Sequence, residues 1–345
     1  MNQAGATPPG VRTASPDNAS AAEPRAVPIT PDLRHAAATR LVSVPESQRA
    51  RAADRLLANA SAHGIDLDLI WGVVSGDGYV RQAVMLVPGA GRIAVAFQSG
   101  PGLADRCGDA ATQRAERAAC LTAAAREVRE RSGRDLRLCQ ALPEERDSWA
   151  RESLDEAGWT RIGVLASLRR PLPLDAGELK ELPGDVRLDR FRGFDEPSEV
   201  EALRTALDRS YEDTLDCPGL TGLRTTPDII ESHASVGLFD PRNWWIARRA
   251  GEPEGCVLLN RLHDNRTVEL VYIGVSKRLR GRSLGRAMLA HAARGLVGPA
   301  ARELSCAVDT RNTPAIGVYA SMGFIRDSER TAFVRRPTTT AEETD

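Results

Sequence analysis

Apolar and polar positions alternate along this chain in two stretches that run in the same order. In the first, Gln48 to His63 has helical spacing, with Leu56 and Leu57 on an Ala-rich face. Val80 to Val87 and Arg92 to Phe97 read as paired strands around the turn Pro88-Gly89-Ala90-Gly91. The pattern then predicts a helix over Arg114 to Arg131, a strand over Asp135 to Gln140, a helix over Arg146 to Ala157 and a strand over Thr160 to Leu168. The second stretch opens with a strand, Val186 to Phe191, and helices near Glu199 to Ser210 and Pro227 to Ala234. Strands follow at Asn243 to Arg249, Cys256 to Leu262 and Thr267 to Val275. A helix over Leu284 to Leu296, a strand over Leu304 to Asp309, a helix over Pro314 to Met322 and a bent strand over Phe324 to Val334 complete it.

The ends of the two stretches match in detail. SLDEAGWTRIGVLASLRR and YASMGFIRDSERTAFVRR each give a helix stopped by glycine (Gly158, Gly323), then an aromatic, then a strand ending in two arginines. The shared order of elements predicts an internal duplication. Three prolines and two glycines in RRPLPLDAGELKELPG mark a linker between the halves. The expected organisation is a disordered leader (1–33), a first domain (34–170), the linker (171–184), a second domain (185–336) and a disordered tail (337–345).

Composition narrows the function classes. With 345 residues, 42% hydrophobic and 27% charged, the chain suits two globular domains. A net charge of −1 gives no global attraction to nucleic acid or anionic membranes. No apolar run suggests a membrane span or a secretory signal, so a cytoplasmic location is expected. The six cysteines show no metal-binding spacing and are expected to be reduced and buried; no metal is expected.

Candidate chemistry concentrates in VELVYIGVSKRLRGRSLGRAMLAHAARGL. An apolar strand ends in a basic, glycine-containing turn that opens into an Ala/Leu helix. Free backbone N–H groups and the positive end of the helix dipole make such a turn an anion site. Gly281 and Gly285 permit close approach of a ligand, and Arg280 and Arg282 add charge suited to phosphates. Neither the Walker pattern nor the dinucleotide fingerprint is present. The alternative is a basic, solvated helix start. Glu269 is the only charge in TVELVYIGV, so it either faces a wet cleft or pairs with an arginine such as Arg248 or Arg261.

Arg280-Gly-Arg-Ser-Leu-Gly285 resembles the R/Q-x-x-G-x-G/A turn of the GNAT (Gcn5-related N-acetyltransferase) superfamily, with Ser283 in place of the middle glycine. Asn312, Ala315, Tyr319, Gly323 and Phe324 fit that family's N-x-x-A-x-x-x-Y-x-x-x-G-F pattern at full spacing. The resemblance implies an α/β (α+β) fold of two tandem GNAT-like domains, each a mixed, mostly antiparallel sheet flanked by helices. The pair is similar to the mycothiol synthase type, with a degenerate first half. It implies that acetyl-CoA is the co-substrate and a primary amine the acceptor. Arg280, Gly281, Arg282, Ser283, Leu284 and Gly285 would hold the pyrophosphate. Asn312 would touch the co-substrate, and backbone N–H groups of Ile273 and Val275 would bind the thioester carbonyl and pantetheine arm. Tyr319 would be the general acid and Glu269, or a water, the general base.

Placing Gly158 on Gly323 puts Leu154 at the position of Tyr319 and Asp147 at that of Asn312, so the first half is read as silent. Tyr211 to Arg224 is expected on the acceptor side, where Glu212, Asp213 and Asp216 would favour a cationic amine. Trp244 and Trp245 are expected on opposite faces of a strand, one in the core and the other available to line the cleft. Two rival readings stand beside the enzyme. One is a non-catalytic acyl-CoA sensor or scaffold, motivated by Ser283. The other is a nucleic-acid surface on Lys277, Arg278, Arg280, Arg282 and Arg286. A monomer or a homodimer is expected.

Overall fold

The computed structural model describes residues 24–174, 180–264 and 266–338. The first half runs β1 (Val27–Pro28), α1 (Arg34–Leu41), α2 (Glu46–Asn59), β2 (Ile70–Val74), β3 (Val80–Pro88), β4 (Ile93–Gln98), α3 (Ala104–Cys107), α4 (Ala110–Ser132), β5 (Leu138–Ala141), α5 (Ser148–Glu156) and β6 (Thr160–Pro171). The second runs β7 (Val186–Arg190), α6 (Pro197–Tyr211), α7 (Thr226–Ser235), β8 (Trp244–Arg249), β9 (Glu252–Arg261), β10 (Thr267–Val275), α8 (Leu284–Arg294), β11 (Glu303–Asp309), α9 (Thr313–Ser321) and β12 (Ile325–Arg335).

All twelve strands among the described residues join one sheet, in the order β1-β2-β3-β4-β5-β12-β6-β11-β10-β9-β8-β7. Each half gives away its last strand. β6 pairs antiparallel with β11 of the second half, β12 pairs with β5 of the first, and the two long strands pair with each other. This is strand exchange within one chain, the arrangement that a domain-swapped dimer makes between two. It also covers the edges that β6 and β12 would expose had each stayed in its own half.

Equivalent points in the halves share backbone geometry. Gly158 and Gly323 take φ of +70° and +73°. Trp159 N–H bonds Leu154 O at 2.9 Å and Phe324 N–H bonds Tyr319 O at 3.1 Å, the same helix exit. Asp147 and Asn312, which open α5 and α9, sit at φ/ψ of −86/71° and −81/66°.

Several elements depart from the expectation. β2 escaped notice because Ile70-Trp71-Gly72-Val73-Val74 is buried almost throughout and does not alternate. The leader is expected to be disordered to residue 33, but Val27 and Pro28 pair with Trp71 and Gly72, and Ile29 is buried. The rest of the leader (1–23), the centre of the linker (175–179) and most of the tail (339–345) lie outside the described residues. Trp244 and Trp245 do face opposite ways, but both are core: Trp244 packs with Phe191 and Leu258, and Trp245 with Val257 and Leu289. Neither reaches the cleft. All six cysteines are buried free thiols, Cys217 included.

A second contact joins the halves. The β3–β4 turn docks on α7, where Arg92 Nε and Nη2 donate to Asp228 at 2.7 and 3.1 Å. Asp228 also accepts from Thr225 in the capping box that starts α7. Its burial opposes the charge, but Arg92 and Thr225 outweigh it and hold the carboxyl down to about 2. Gly91 lies at φ +68°, and a Cβ there would stand 2.0 Å from Asp228 O, so only glycine permits this approach.

Candidate active site

The site begins where two parallel strands part. β10 and β11 pair from Thr267↔Glu303 to Leu270↔Cys306, and no further. On its other side β10 stays on β9 but shifts register between Leu270 and Tyr272, a bulge that turns the rest of the strand outward. Ser276 N–H bonds Glu254 O of β9. Alternation along the strand then points the N–H groups of Ile273 and Val275 away from β9 and into the gap.

Two cavities meet at this gap. One, of about 220 Å³, is lined by Ile273 and Val275, by Tyr319 of α9 and its cap Asn312, and by Arg280. The other, of about 510 Å³, lies toward α7 and is lined by Glu269, Tyr211, His233 and Leu220, among others. Leu270, Val271, Tyr272, Thr214, Asp216 and Ala307 border both.

Tyr319 is 5% exposed, its ring 5.3 Å from that of Phe324. Burial holds its hydroxyl pKa well above the ordinary phenol value, so it keeps its proton at neutral pH. Glu269 has neither of the arginine partners considered from sequence. Arg248 pairs with Asp189 and Glu199, and Arg261 bonds Val297 O. The Glu269 carboxylate instead accepts from Ser305 Oγ of β11. Burial raises its pKa, and the Ser305 bond offsets part of the rise.

The basic turn is placed less simply. Arg280 borders the smaller cavity, but its guanidinium bonds the carbonyls of Ser210, Glu212 and Asp213 at 3.0, 2.6 and 3.3 Å, capping the end of α6. Arg282 forks onto Asp185 at 2.7 and 3.0 Å and is the main cause of that carboxyl's fall to about 2. Ser283 adopts the left-handed conformation (φ 55°), and Gly281 also has positive φ (76°). Leu284 and Gly285 open α8, where the first N–H groups have no acceptor within the helix. Nothing stands within 4 Å of a Cβ at Gly281 or Gly285, so the approach to the turn is open. Asn312 caps α9, accepting from Ala315 N–H at 3.2 Å, while bordering the cavity.

The acceptor-side carboxylates divide. Asp213 turns to the smaller cavity and pairs with Lys277; Glu212 borders neither cavity. Asp216 stands between the cavities and is latched to β11. It accepts from Asp309 N–H at 2.9 Å, and Asp309 accepts in return from Cys217 N–H at 3.2 Å. Burial raises the Asp216 pKa. Burial also pushes the Cys217 thiol up to about 12, so it is no nucleophile. Sequence reasoning missed His233 and Tyr272 as cavity residues. Their rings stack with centroids 5.6 Å apart, a contact between elements that no local spacing reveals.

Residues 205–324 match the model described as the Acetyltransferase (GNAT) family. The match to that family lies within the second half. A mycothiol acetyltransferase of Streptomyces bingchenggensis is 31% identical over 181 residues, covering 51% of this chain and 56% of that protein. One of Thermobispora bispora is 34% identical over 183 residues, covering 49% and 56%. The chain thus spans little more than half the length of these relatives. A GCN5-related N-acetyltransferase from Sphaerobacter thermophilus aligns over 91% of this chain and 95% of its own, with a TM-score of 0.56 and 18% identity. That likeness extends the GNAT fold over both halves. Within the matched residues, the split strands, the turn at the start of α8 and α9 with Tyr319 frame the smaller cavity.

Proposed function

We propose that the chain is an N-acetyltransferase that moves acetyl from acetyl-CoA to a primary amine by direct attack in a ternary complex. One observation carries the reading: two cavities meet at the split between β10 and β11, with Tyr319 on one and Glu269 on the other. The free N–H groups of Ile273 and Val275 and the open helix start at Leu284 and Gly285 suit a thioester carbonyl and a pyrophosphate.

Acetyl-CoA, when bound, supplies an acetyl group activated as a thioester. Glu269, its pKa raised toward the working range by burial, takes a proton from the acceptor ammonium. The amine forms the new N–C bond as the C–S bond breaks, Tyr319 gives its proton to the departing sulfur, and the second proton shed by the nitrogen restores the Tyr319 hydroxyl. The products are the acetamide, CoA thiol and one proton released to solvent. Gly281, Arg282, Ser283 and Asn312 complete the proposed co-substrate contacts. Arg280 is proposed to act mainly by fixing the loop after α6 beside them.

The test is Tyr319→Phe. Turnover by thiol release should fall about 100-fold, the low end for a general acid, with CoA affinity nearly unchanged. An unchanged rate removes Tyr319 as the acid. The sensor reading draws on the engagement of Arg280 and Arg282 with protein groups. It requires acetyl-CoA binding with no acceptor-dependent thiol release. A nucleic-acid surface loses support, because Lys277, Arg278, Arg280 and Arg282 all have partners within the protein.

A further inference from the structure

The larger cavity has a chemistry of its own. Leu165, Leu220, Ile229, Val236, Leu270 and Val271 form an apolar enclosure drawn from both halves, since Leu165 lies on β6. One wall is aromatic, with the stacked rings of Tyr272 and His233 and the Tyr211 ring 5.1 Å from Tyr272. Burial lowers His233 to about 4, with the Arg224 charge helping, so this wall is neutral at pH 7.

Most polar groups on the lining are spent on the protein itself, with Arg224 Nε, Gln140 and Thr221 as the exceptions. Tyr211 OH meets His233 Nε2 at 3.3 Å, and Tyr272 OH meets Ser210 Oγ at 2.8 Å. Arg224 donates to Asp228 O at 2.6 Å and to Ser232 Oγ, and Asp208 accepts from Thr226. The carboxylates of Glu269 and Asp216 lie at the end of the cavity that opens on the split strands, where they accept from Ser305 Oγ and Asp309 N–H.

A polyhydroxylated acceptor entering here would lose water from its hydroxyls and find few partners in return. An ammonium on an apolar ring would meet carboxylates at one end and aromatic and aliphatic faces at the other. From this division of the lining, and resting on the acetyltransferase reading above, we infer that the acceptor is a primary amine carried on an aromatic-sized apolar body rather than an amino sugar. Its amine reaches the thioester past Glu269 while the ring lies between Tyr272 and the Leu220–Val236 side.

The experiment compares tryptamine with glucosamine on the full chain, by thiol release at saturating acetyl-CoA and by calorimetric binding at saturating CoA. The inference predicts kcat/KM at least tenfold higher for tryptamine. It also predicts that Val236→Thr, which keeps the shape and adds a hydroxyl, raises the tryptamine KM severalfold and leaves CoA binding unchanged. Glucosamine turning over as well as tryptamine, or better, overturns the inference and leaves the acetyltransferase reading standing. Tryptamine binding without turnover supports the cavity assignment and contradicts the enzyme. If neither amine turns over and neither binds, the cavity assignment is wrong.

Discussion

The two halves share a frame and differ in their clefts. In the second half the strand pair parts beside a bulge, and a cavity of about 220 Å³ opens in the gap. In the first half β4 and β5 also part, after Val95↔Gln140, but β4 stays in unbroken register with β3. The space beside it is filled. Gln98 at the end of β4 reaches Ala150 O of α5 at 3.1 Å. Arg117 lies 2% exposed, bonded to Ser153 Oγ at 3.0 Å with its guanidinium carbon 5.1 Å from the Trp149 ring centroid. Burial lowers its pKa to about 10, so it remains charged at neutral pH. Leu154, fully buried, stands where Tyr319 stands in the other half. One backbone plan thus carries a cleft in one half and a plug in the other. A bulge and a few side chains decide which.

The sharpest test of that contrast pairs equivalent positions. Tyr319→Phe is expected to cost turnover; Leu154→Ala should cost about 2–5 kcal/mol of stability, the range for a buried leucine, and leave kcat per folded molecule unchanged. Denaturant melts and rates on the same preparation check both. A loss of kcat out of proportion to unfolding would give the first half a part in catalysis.

Acid sensitivity should also divide by half. His233 is the histidine most shifted, to about 4 from an ordinary 6.5. Above about 6.5 neither state gains a proton there, whereas between 6.5 and 4 only the unfolded chain does. Stability is therefore lost as pH falls through that window, by up to a few kcal/mol. His35 and His63 in the first half are exposed. Replacing His233 by Gln should flatten the melting temperature between pH 6.5 and 4; an unchanged slope would show that this imidazole does not control it. Asp185 and Asp228, held to about 2, act in a lower window, below their unfolded value of 3.8.

The smallest effect concerns the turn. Ser283 pays for its left-handed backbone with strain that glycine lacks. Ser283→Gly should raise stability by about 1 kcal/mol and tighten acetyl-CoA binding slightly, by thermal melts with and without the ligand. Weaker binding would mean that the serine hydroxyl is itself a contact.

What the sequence revealed was local. The turn from Arg280 to Gly285, the helix from Asn312 to Tyr319 and the paired exits at Gly158 and Gly323 are contiguous, so spacing alone locates them. Three features were hidden because they depend on distant residues meeting. The exchange of β6 and β12 has no local sign, since either strand could have stayed in its own half. Arg280 carries the expected charge, yet three carbonyls at the end of α6 claim its guanidinium. The larger cavity draws on Tyr211, His233, Glu269 and, from the first half, Leu165, four positions that no motif links.

We propose that the second half alone holds the co-substrate. Calorimetric titration of acetyl-CoA into the full chain tests it most directly. The account predicts one site per chain, retained in Tyr319→Phe. Two sites would show that the cleft beside Arg117 opens after all, and no binding would contradict the acetyltransferase assignment itself.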